Sequence, residues 1–299
     1  MIITSCGNSV KLAKELARKL KATSFPATYS PLTISSFPDG DLYLKYNTAV
    51  KGKTVVIVHS FQPHPNDSFL RVVFAAETAQ DLGAKKVILV VPYLAYIRQD
   101  KRFHPGEAVS SKIVGKHLSR CVDKVISVDP HLHRYRSLKE MFSVPGEALT
   151  ANDFMVKYLR RHFPGAVLVG PDWESSQWAG KIARIIGTES TIFEKTRYHS
   201  RKVRVKMVKP ISLEGKLVVI VDDIISTGYT IIEAAKEAYR HGAREVVAIA
   251  VHGVFAEQAW PKLRKAGVKQ IITANTIEHP TNKIDITPLL VEELRKEKT

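Results

Sequence analysis

Residues 51 to 60 read KGKTVVIVHS, and residues 214 to 223 read EGKLVVIVDD. Each is a Gly-Lys turn feeding a β-branched run, the composition of a strand buried on both faces of a parallel sheet. The likeness continues downstream, where 75 to 91 read AAETAQDLGAKKVILVV and 234 to 250 read AAKEAYRHGAREVVAIA. Both segments read as a helix ending at a glycine, Gly83 or Gly242, followed by another apolar strand. The two glycines lie 159 residues apart, as do the Ala-Ala pairs that begin at 75 and 234. Order, turns and spacing repeat together, which indicates a duplicated unit rather than two segments of similar composition.

Outward from this pair, third strands follow in both halves, VDKVISVD at 122 to 129 and VKQIITAN at 268 to 275. Each half also opens with an apolar strand and a helix, IITSCGNSVKLAKELARKL from Ile2 and VLVGPDWESSQWAGKIARII from Val167. Strands alternating with helices predict an α/β fold of two similar domains, each a mostly parallel sheet flanked by helices. The Pro145-Gly146 pair reads as a turn and marks the expected boundary near Val144 to Leu149, giving domains of 1–146 and 147–299.

Composition narrows the function classes. The chain has 299 residues, 44% hydrophobic and 25% charged, the balance of a soluble globular protein. No apolar stretch is long enough to cross a bilayer, and the first residues lack a basic region followed by an apolar run. A cytoplasmic protein with no membrane partner is expected. Cys6 and Cys121 form neither a CxxC pair nor part of a Cys/His cluster, and both read as buried small side chains. The formal charge of +16 invites a nucleic-acid reading, yet basic residues are spread from Lys11 to Lys298 without a zinc finger or RNA-binding aromatic motif. No nucleic-acid partner is expected.

Open α/β sheets bind ligands at the carboxyl ends of their strands, so the residues just after each strand deserve the closest reading. After Val218-Val219-Ile220-Val221 come Asp222-Asp223-Ile224-Ile225-Ser226-Thr227-Gly228-Tyr229-Thr230 and then a helix, whereas the first copy has His59-Ser60 in place of the acidic pair. Ser226, Thr227 and Thr230 supply hydroxyl donors, Gly228 permits a tight turn, and the free amides of the following helix face an anion. A phosphomonoester suits that turn. Asp222 and Asp223 would repel the phosphate but can accept hydrogen bonds from sugar hydroxyls nearby. Phosphate at one end and a diol at the other describe ribose 5-phosphate. Helix capping alone explains Ser, Thr or Asp at such a position, but not three hydroxyls, a glycine and two carboxylates in nine residues.

The run VDDIISTGYT resembles the phosphoribosyl-diphosphate loop shared by phosphoribosyltransferases and ribose-phosphate pyrophosphokinases. The resemblance implies two phosphoribosyltransferase-like domains and assigns Asp222, Asp223, Ser226, Thr227, Gly228, Tyr229 and Thr230 to ribose 5-phosphate. Four further segments resemble the pyrophosphokinases in particular. Phe37-Pro38-Asp39-Gly40-Asp41 is similar to their FPDGE segment, which implies that Phe37, Asp39, Gly40 and Asp41 hold the adenine of ATP, often across a subunit interface. Read without the family, it is a Pro-Asp-Gly turn between two strands.

Tyr96-Ile97-Arg98-Gln99-Asp100 resembles the YxRQD opening of the family's flexible catalytic loop, placing Arg98 and Gln99 on ATP. Pro105 and Gly106 are expected to break a helix before Ala108 to Leu118 resumes one. Asp129-Pro130-His131 resembles the DLH segment, which implies that His131 meets the Mg2+ of Mg-ATP directly or through water. Phe193-Glu194-Lys195-Thr196-Arg197 resembles the KxR segment, implying catalytic Lys195 and Arg197 on one strand face, with Arg197 also reaching ribose 5-phosphate.

The likeness runs through nearly the whole chain, with departures. The family pattern PDxGGxxRA is here Pro171-Asp172-Trp173-Glu174-Ser175-Ser176-Gln177-Trp178-Ala179. Asp172, the second implied metal-linked residue, is kept, while Glu174-Ser175 replaces the glycine pair and Trp178 the arginine. Tyr229 stands where Gly or Ala is common. The implied activity is transfer of the β,γ-diphosphate of ATP to the C1 hydroxyl of ribose 5-phosphate, with Mg2+ as cofactor and a homo-oligomer, dimer or larger, as assembly. A phosphoribosyltransferase and a catalytically weak regulatory homologue are the competing readings.

Overall fold

The computed structural model describes residues 1–199 and 202–297, with the backbone alone for 173–178, 194–199 and 202–206. The chain forms two compact units. The first comprises Met1–Thr150, Thr276–Glu278 and the chain from Ile286 onward; the second comprises Ala151–Asn275 and His279–Asp285.

In the first unit the elements are β1 (Ile2–Thr4), α1 (Val10–Ala22), β2 (Thr28–Tyr29), β3 (Leu32–Ser36), β4 (Leu42–Tyr46), β5 (Thr54–Val58), α2 (Pro65–Asp81), β6 (Lys86–Val91), α3 (Ser110–Cys121), β7 (Lys124–Val128) and β8 (Gly146–Leu149). The second unit contains α4 (Asn152–His162), β9 (Val167–Gly170), α5 (Trp173–Ile186), β10 (Ser190–His199), β11 (Lys202–Met207), β12 (Leu217–Ile225), α6 (Tyr229–Arg240), β13 (Glu245–Gly253), α7 (Ala259–Lys265), β14 (Val268–Ala274) and β15 (Asn282–Ile284). The last helix, α8 (Thr287–Leu294), packs on α1 in the first unit. Lys124 fastens it there, donating to Glu293 at 2.7 Å and to Glu297 at 2.8 Å.

The first sheet has the order β2-β1-β5-β6-β7-β8 and the second β11-β10-β9-β12-β13-β14-β15. With β11 set aside, the two orders coincide position by position, as the internal repeat requires. Every pairing in the first sheet is parallel, and in the second only the β10–β11 pairing is antiparallel. The repeated apolar runs are the sheet centres: Val55 to Val58 and Val218 to Val221 are fully buried. Helices cover them with narrow apolar stripes, as in α1, whose Leu12, Ala13, Leu16, Ala17 and Leu20 face inward. Gly83 and Gly242 take the left-handed conformation, φ 80° and 82°, just past α2 and α6. Even one loop contact repeats, Gly52 donating to the Gly83 carbonyl at 2.7 Å and Gly215 to that of Gly242 at 2.8 Å.

Two local readings change. The Pro145-Gly146 pair is the entry to β8, which pairs with β7. A Cβ on Gly146 would stand 2.8 Å from the Leu138 Cβ, so close packing and not a turn accounts for the glycine. Ahead of Pro105 there is no helix to break, and α3 starts at Ser110. Instead the Glu107 carboxylate accepts the amides of Phe103 at 2.8 Å and His104 at 3.1 Å, while Arg102 donates to the Glu107 carbonyl at 2.9 Å. Side-chain bonds of this kind offer the backbone an alternative to the helix.

Candidate active site

In the second sheet the strand order reverses at the β9–β12 pair, where a doubly wound fold leaves a crevice at its carboxyl edge. Asp172 follows β9, and Asp222 and Asp223 lie near the end of β12. The Asp223 amide donates to Asp222 Oδ1 at 3.0 Å. Burial holds the Asp222 carboxyl well above the usual carboxylate range, and the charges of Asp223 and then Asp172 push it further the same way. Both neighbouring carboxylates therefore act on Asp222.

Beyond them β12 ends at Ile225, and α6 begins at Tyr229 with Gly228 as its N-cap, φ 72°. No side chain caps this helix, and the hydroxyls of Ser226, Thr227 and Thr230 bond to no other described residue. The three hydroxyls, beside a helix start without a side-chain cap, are thus available to an external oxyanion. Gly228 is required twice over, by its positive φ and because a Cβ would lie 3.2 Å from Leu263 and 3.3 Å from Ala259. Tyr229 is 55% exposed, so the side chain that departs from the usual small residue does not fill the turn's interior.

The residues expected on the nucleotide lie in the first unit. Arg98 and Gln99 follow β6, and His131 follows β7, its neighbour in the sheet. Arg98 is exposed between buried Ile97 and buried Asp100. Gln99 is held by the first turn of α3: its Oε1 accepts from Ser110 at 2.8 Å, and its carbonyl accepts from the Ser111 hydroxyl at 3.2 Å. His131 and His133 meet edge to face, ring centres 3.5 Å apart, with their Nε2 atoms in contact. Phe37 to Asp41 form the turn joining β3 to β4, closed by Phe37 N–H to Asp41 O at 2.8 Å and Gly40 N–H to Phe37 O at 2.9 Å. Phe37, 53% exposed, makes an edge contact with Tyr43, and Gly40 takes φ 97°.

Lys195 and Arg197 belong to β10, whose backbone is registered on β11 with Lys195 opposite Val205 and Arg197 opposite Val203. Their side chains lie outside the described residues, as do those of Trp173 to Trp178 at the start of α5. Among the described residues no group of three His, Cys, Asp or Glu side chains is arranged to hold a metal ion.

Residues 1–121 match the family model for the N-terminal domain of ribose phosphate pyrophosphokinase, and residues 137–259 match the phosphoribosyl transferase domain. The ribose-phosphate pyrophosphokinase of Methanopyrus kandleri is 35% identical over 294 residues, 98% of each chain. The chain belongs to the ribose-phosphate pyrophosphokinase family. Ribose-phosphate pyrophosphokinase 2 of Archaeoglobus fulgidus is also 35% identical, over 98% of this chain and all of its own. The crystal structure of phosphoribosylpyrophosphate synthetase from Mycobacterium smegmatis superposes with a TM-score of 0.84 at 25% identity, covering 98% of this chain and 97% of that one. Two phosphoribosyltransferase-like domains are therefore the family's architecture here, each a mostly parallel sheet flanked by helices. No helix among the described residues is long and apolar enough to cross a membrane.

What the family motifs do not contain is the scaffold under Gln99 and Asp100. Arg134 and Tyr135 reach this segment from 34 and 35 positions away, and no periodicity or spacing in the sequence announces the contact.

Proposed function

We propose that the protein transfers the β,γ-diphosphate of ATP to the C1 hydroxyl of ribose 5-phosphate, giving 5-phosphoribosyl 1-diphosphate and AMP. The observation that carries this reading is the β12–α6 turn, with an uncapped helix start and three unengaged hydroxyls beside a carboxylate pair. Ser226 to Thr230 hold the 5-phosphate, and Asp222 and Asp223 accept hydrogen bonds from the ribose hydroxyls. Phe37, Asp39, Gly40 and Asp41 take the adenine, Arg98 the polyphosphate, Gln99 supplies neutral hydrogen bonds to the nucleotide, and Lys195 and Arg197 meet the charge that develops on the transferred group.

Magnesium fits this chain in part. Burial and then the neighbouring carboxylates raise Asp222, a clustering of acidic groups that suits a divalent cation, and magnesium is usually held by one or two carboxylates with water and substrate phosphates, not by a protein cage. Asp172 is the direct candidate, and His131, whose imidazole is a poor magnesium ligand, acts through water. When bound, the ion neutralises phosphate charge. We further assign the protein to the cytoplasm as a homo-oligomer, dimer or larger.

The test incubates the protein with ribose 5-phosphate and Mg-ATP without a nucleobase and follows AMP. Release of AMP with stoichiometric 5-phosphoribosyl 1-diphosphate is expected, and Lys195→Ala should reduce turnover about a thousandfold while both substrates still bind. ATP binding without turnover would identify a regulatory homologue instead. Nucleobase-dependent release of diphosphate from 5-phosphoribosyl 1-diphosphate would identify a phosphoribosyltransferase.

A further inference from the structure

The loop after β6 is tied at Asp100 to the loop after β7. The Asp100 side chain is 3% exposed, and Arg134 Nη1 donates to both its oxygens, at 2.8 Å and 3.1 Å. Tyr135, the next residue, donates to the Asp100 carbonyl at 3.4 Å and shares a hydrogen bond of 2.7 Å with Ser111 Oγ. Ser111 in turn holds the Gln99 carbonyl through its amide at 3.3 Å and its hydroxyl at 3.2 Å. The Arg134 guanidinium also lies 5.4 Å from the centre of the Phe103 ring, which has Lys101 at 5.2 Å.

The arrangement has a direction. Arg134 belongs to the loop after β7 that carries His131, so its bond to Asp100 joins the loops of two neighbouring strands. Exposed Arg98 is left between two fixed points, apolar Ile97 at 2% exposure and the ion pair at Asp100. A carboxylate so buried needs its cation, because an unpaired buried charge is strongly unfavourable. A single guanidinium nitrogen that donates to both oxygens holds the carboxylate through charge-assisted hydrogen bonds.

We propose that Arg134 is a positioning residue for the diphosphate donor, fixing the backbone of Arg98 and Gln99 against the His131 loop by fastening Asp100. The proposal rests on the assignment of Arg98 and Gln99 to ATP. Arg134 itself need not touch the nucleotide.

The experiment measures KM for Mg-ATP, KM for ribose 5-phosphate and kcat in Arg98→Ala, Arg134→Ala, Arg134→Lys and the double variant Arg134→Ala/Asp100→Asn, each checked for folding by thermal melting. Misplacing a binding group by an ångström costs up to about a hundredfold, so Arg134→Ala is expected to raise KM for Mg-ATP about tenfold to a hundredfold with KM for ribose 5-phosphate within about twofold. Arg134→Lys should recover only part, since an ammonium can pair with Asp100 but lacks the planar guanidinium that lies against the Phe103 ring. The double variant removes the buried charge along with its partner, so it folds even where Arg134→Ala fails to, and it should keep the ATP defect because the tie is gone. A double variant with the parent KM for Mg-ATP would overturn the proposal. So would equal rises in both Michaelis constants, the mark of general loosening. Arg98→Ala separates the two layers: without an ATP defect there, the assignment of the loop to ATP fails, whereas a defect there beside a normal double variant defeats the role of Arg134 alone.

Discussion

At the carboxyl end of β5 the chain places His59 and Ser60, and at the matching end of β12 it places Asp222 and Asp223. The first end is closed on itself around Ser60, while neither ring nitrogen of His59 has a hydrogen-bond partner among the described residues. Ser60 accepts from Asn8 at 2.9 Å through its carbonyl, receives Tyr93 N–H on its hydroxyl at 3.3 Å, and donates its own amide to Ser9 at 3.0 Å and its hydroxyl to the Thr276 carbonyl. His59 is buried, and burial, followed by the nearby Arg71 guanidinium, lowers its pKa to about 3, so it stays neutral. At the second end burial instead confines a carboxylate beside two others, a costly arrangement that the Asp223 amide bond to Asp222 offsets only in part. The connection differs too. Ala75 follows Val58 by 17 positions and Ala234 follows Val221 by 13, and α2 opens on Pro65 where α6 opens on left-handed Gly228. Two copies of one sheet thus show the same position resolved for packing in one and left open for a ligand in the other.

The strongest way to break this comparison is to write the first end into the second. Asp222→His/Asp223→Ser leaves the sheet with residues its own duplicate tolerates, but removes both acceptors for the sugar hydroxyls. Charge-assisted hydrogen bonds contribute about 1.5–3 kcal/mol each, so the pair predicts a loss in kcat/KM for ribose 5-phosphate on the order of 10² to 10⁴. The AMP assay reads it directly. A double variant within tenfold of the parent would mean that the acidic pair is not what sets the two ends apart.

A single change sharpens the result. Asp222→Asn keeps shape and one acceptor while removing charge, and should raise KM for ribose 5-phosphate about tenfold to a hundredfold with KM for Mg-ATP within about threefold. Smaller again is Gly228→Ala. The substitution forces a Cβ into φ 72° and to 3.2 Å from Leu263, at a cost of about 1–2 kcal/mol, and a lower melting midpoint with about tenfold weaker ribose 5-phosphate binding should follow. An alanine variant with the parent's midpoint and affinity would show that the α6 start needs no glycine.

How far this could be read in the sequence depended on range. The duplicated strands were legible because β-branched runs such as Val55 to Val58 and Val218 to Val221 carry their own burial signal, and the phosphate turn because its residues are contiguous. Gly146 was misread because a glycine kept for contact with Leu138 looks, in sequence, like one kept for a turn. The segment before Pro105 was misread because Glu107 bonds the amides of Phe103 and His104, a local competition that propensity does not anticipate. Arg134 had no signal at all, since its partner Asp100 is brought to it by the pairing of β6 with β7.

The smallest expected effect tests the electrostatics of the two ends against each other without any substrate. Asp222 holds its proton more tightly in the folded than in the unfolded chain, where an aspartate titrates near about 3.9. Its contribution is therefore most favourable below that pH and is lost as pH rises toward the raised folded value. His59 runs the other way: an unfolded histidine titrates near about 6.5, and in the fold its pKa falls to about 3. Its contribution is complete above the unfolded pKa and is lost on acidification toward the folded one. Asp222→Asn should consequently melt about 2 °C or more above the parent at pH 7 and converge with it near pH 4. His59→Leu should show the opposite trend, its advantage over the parent growing as pH falls from 7 toward 4. Melting curves of the three proteins across that range, free of phosphate and divalent ions, decide the point. Parallel curves would mean that burial acts alike on the two strand ends; divergence of opposite sign is what a closed end and an open end require.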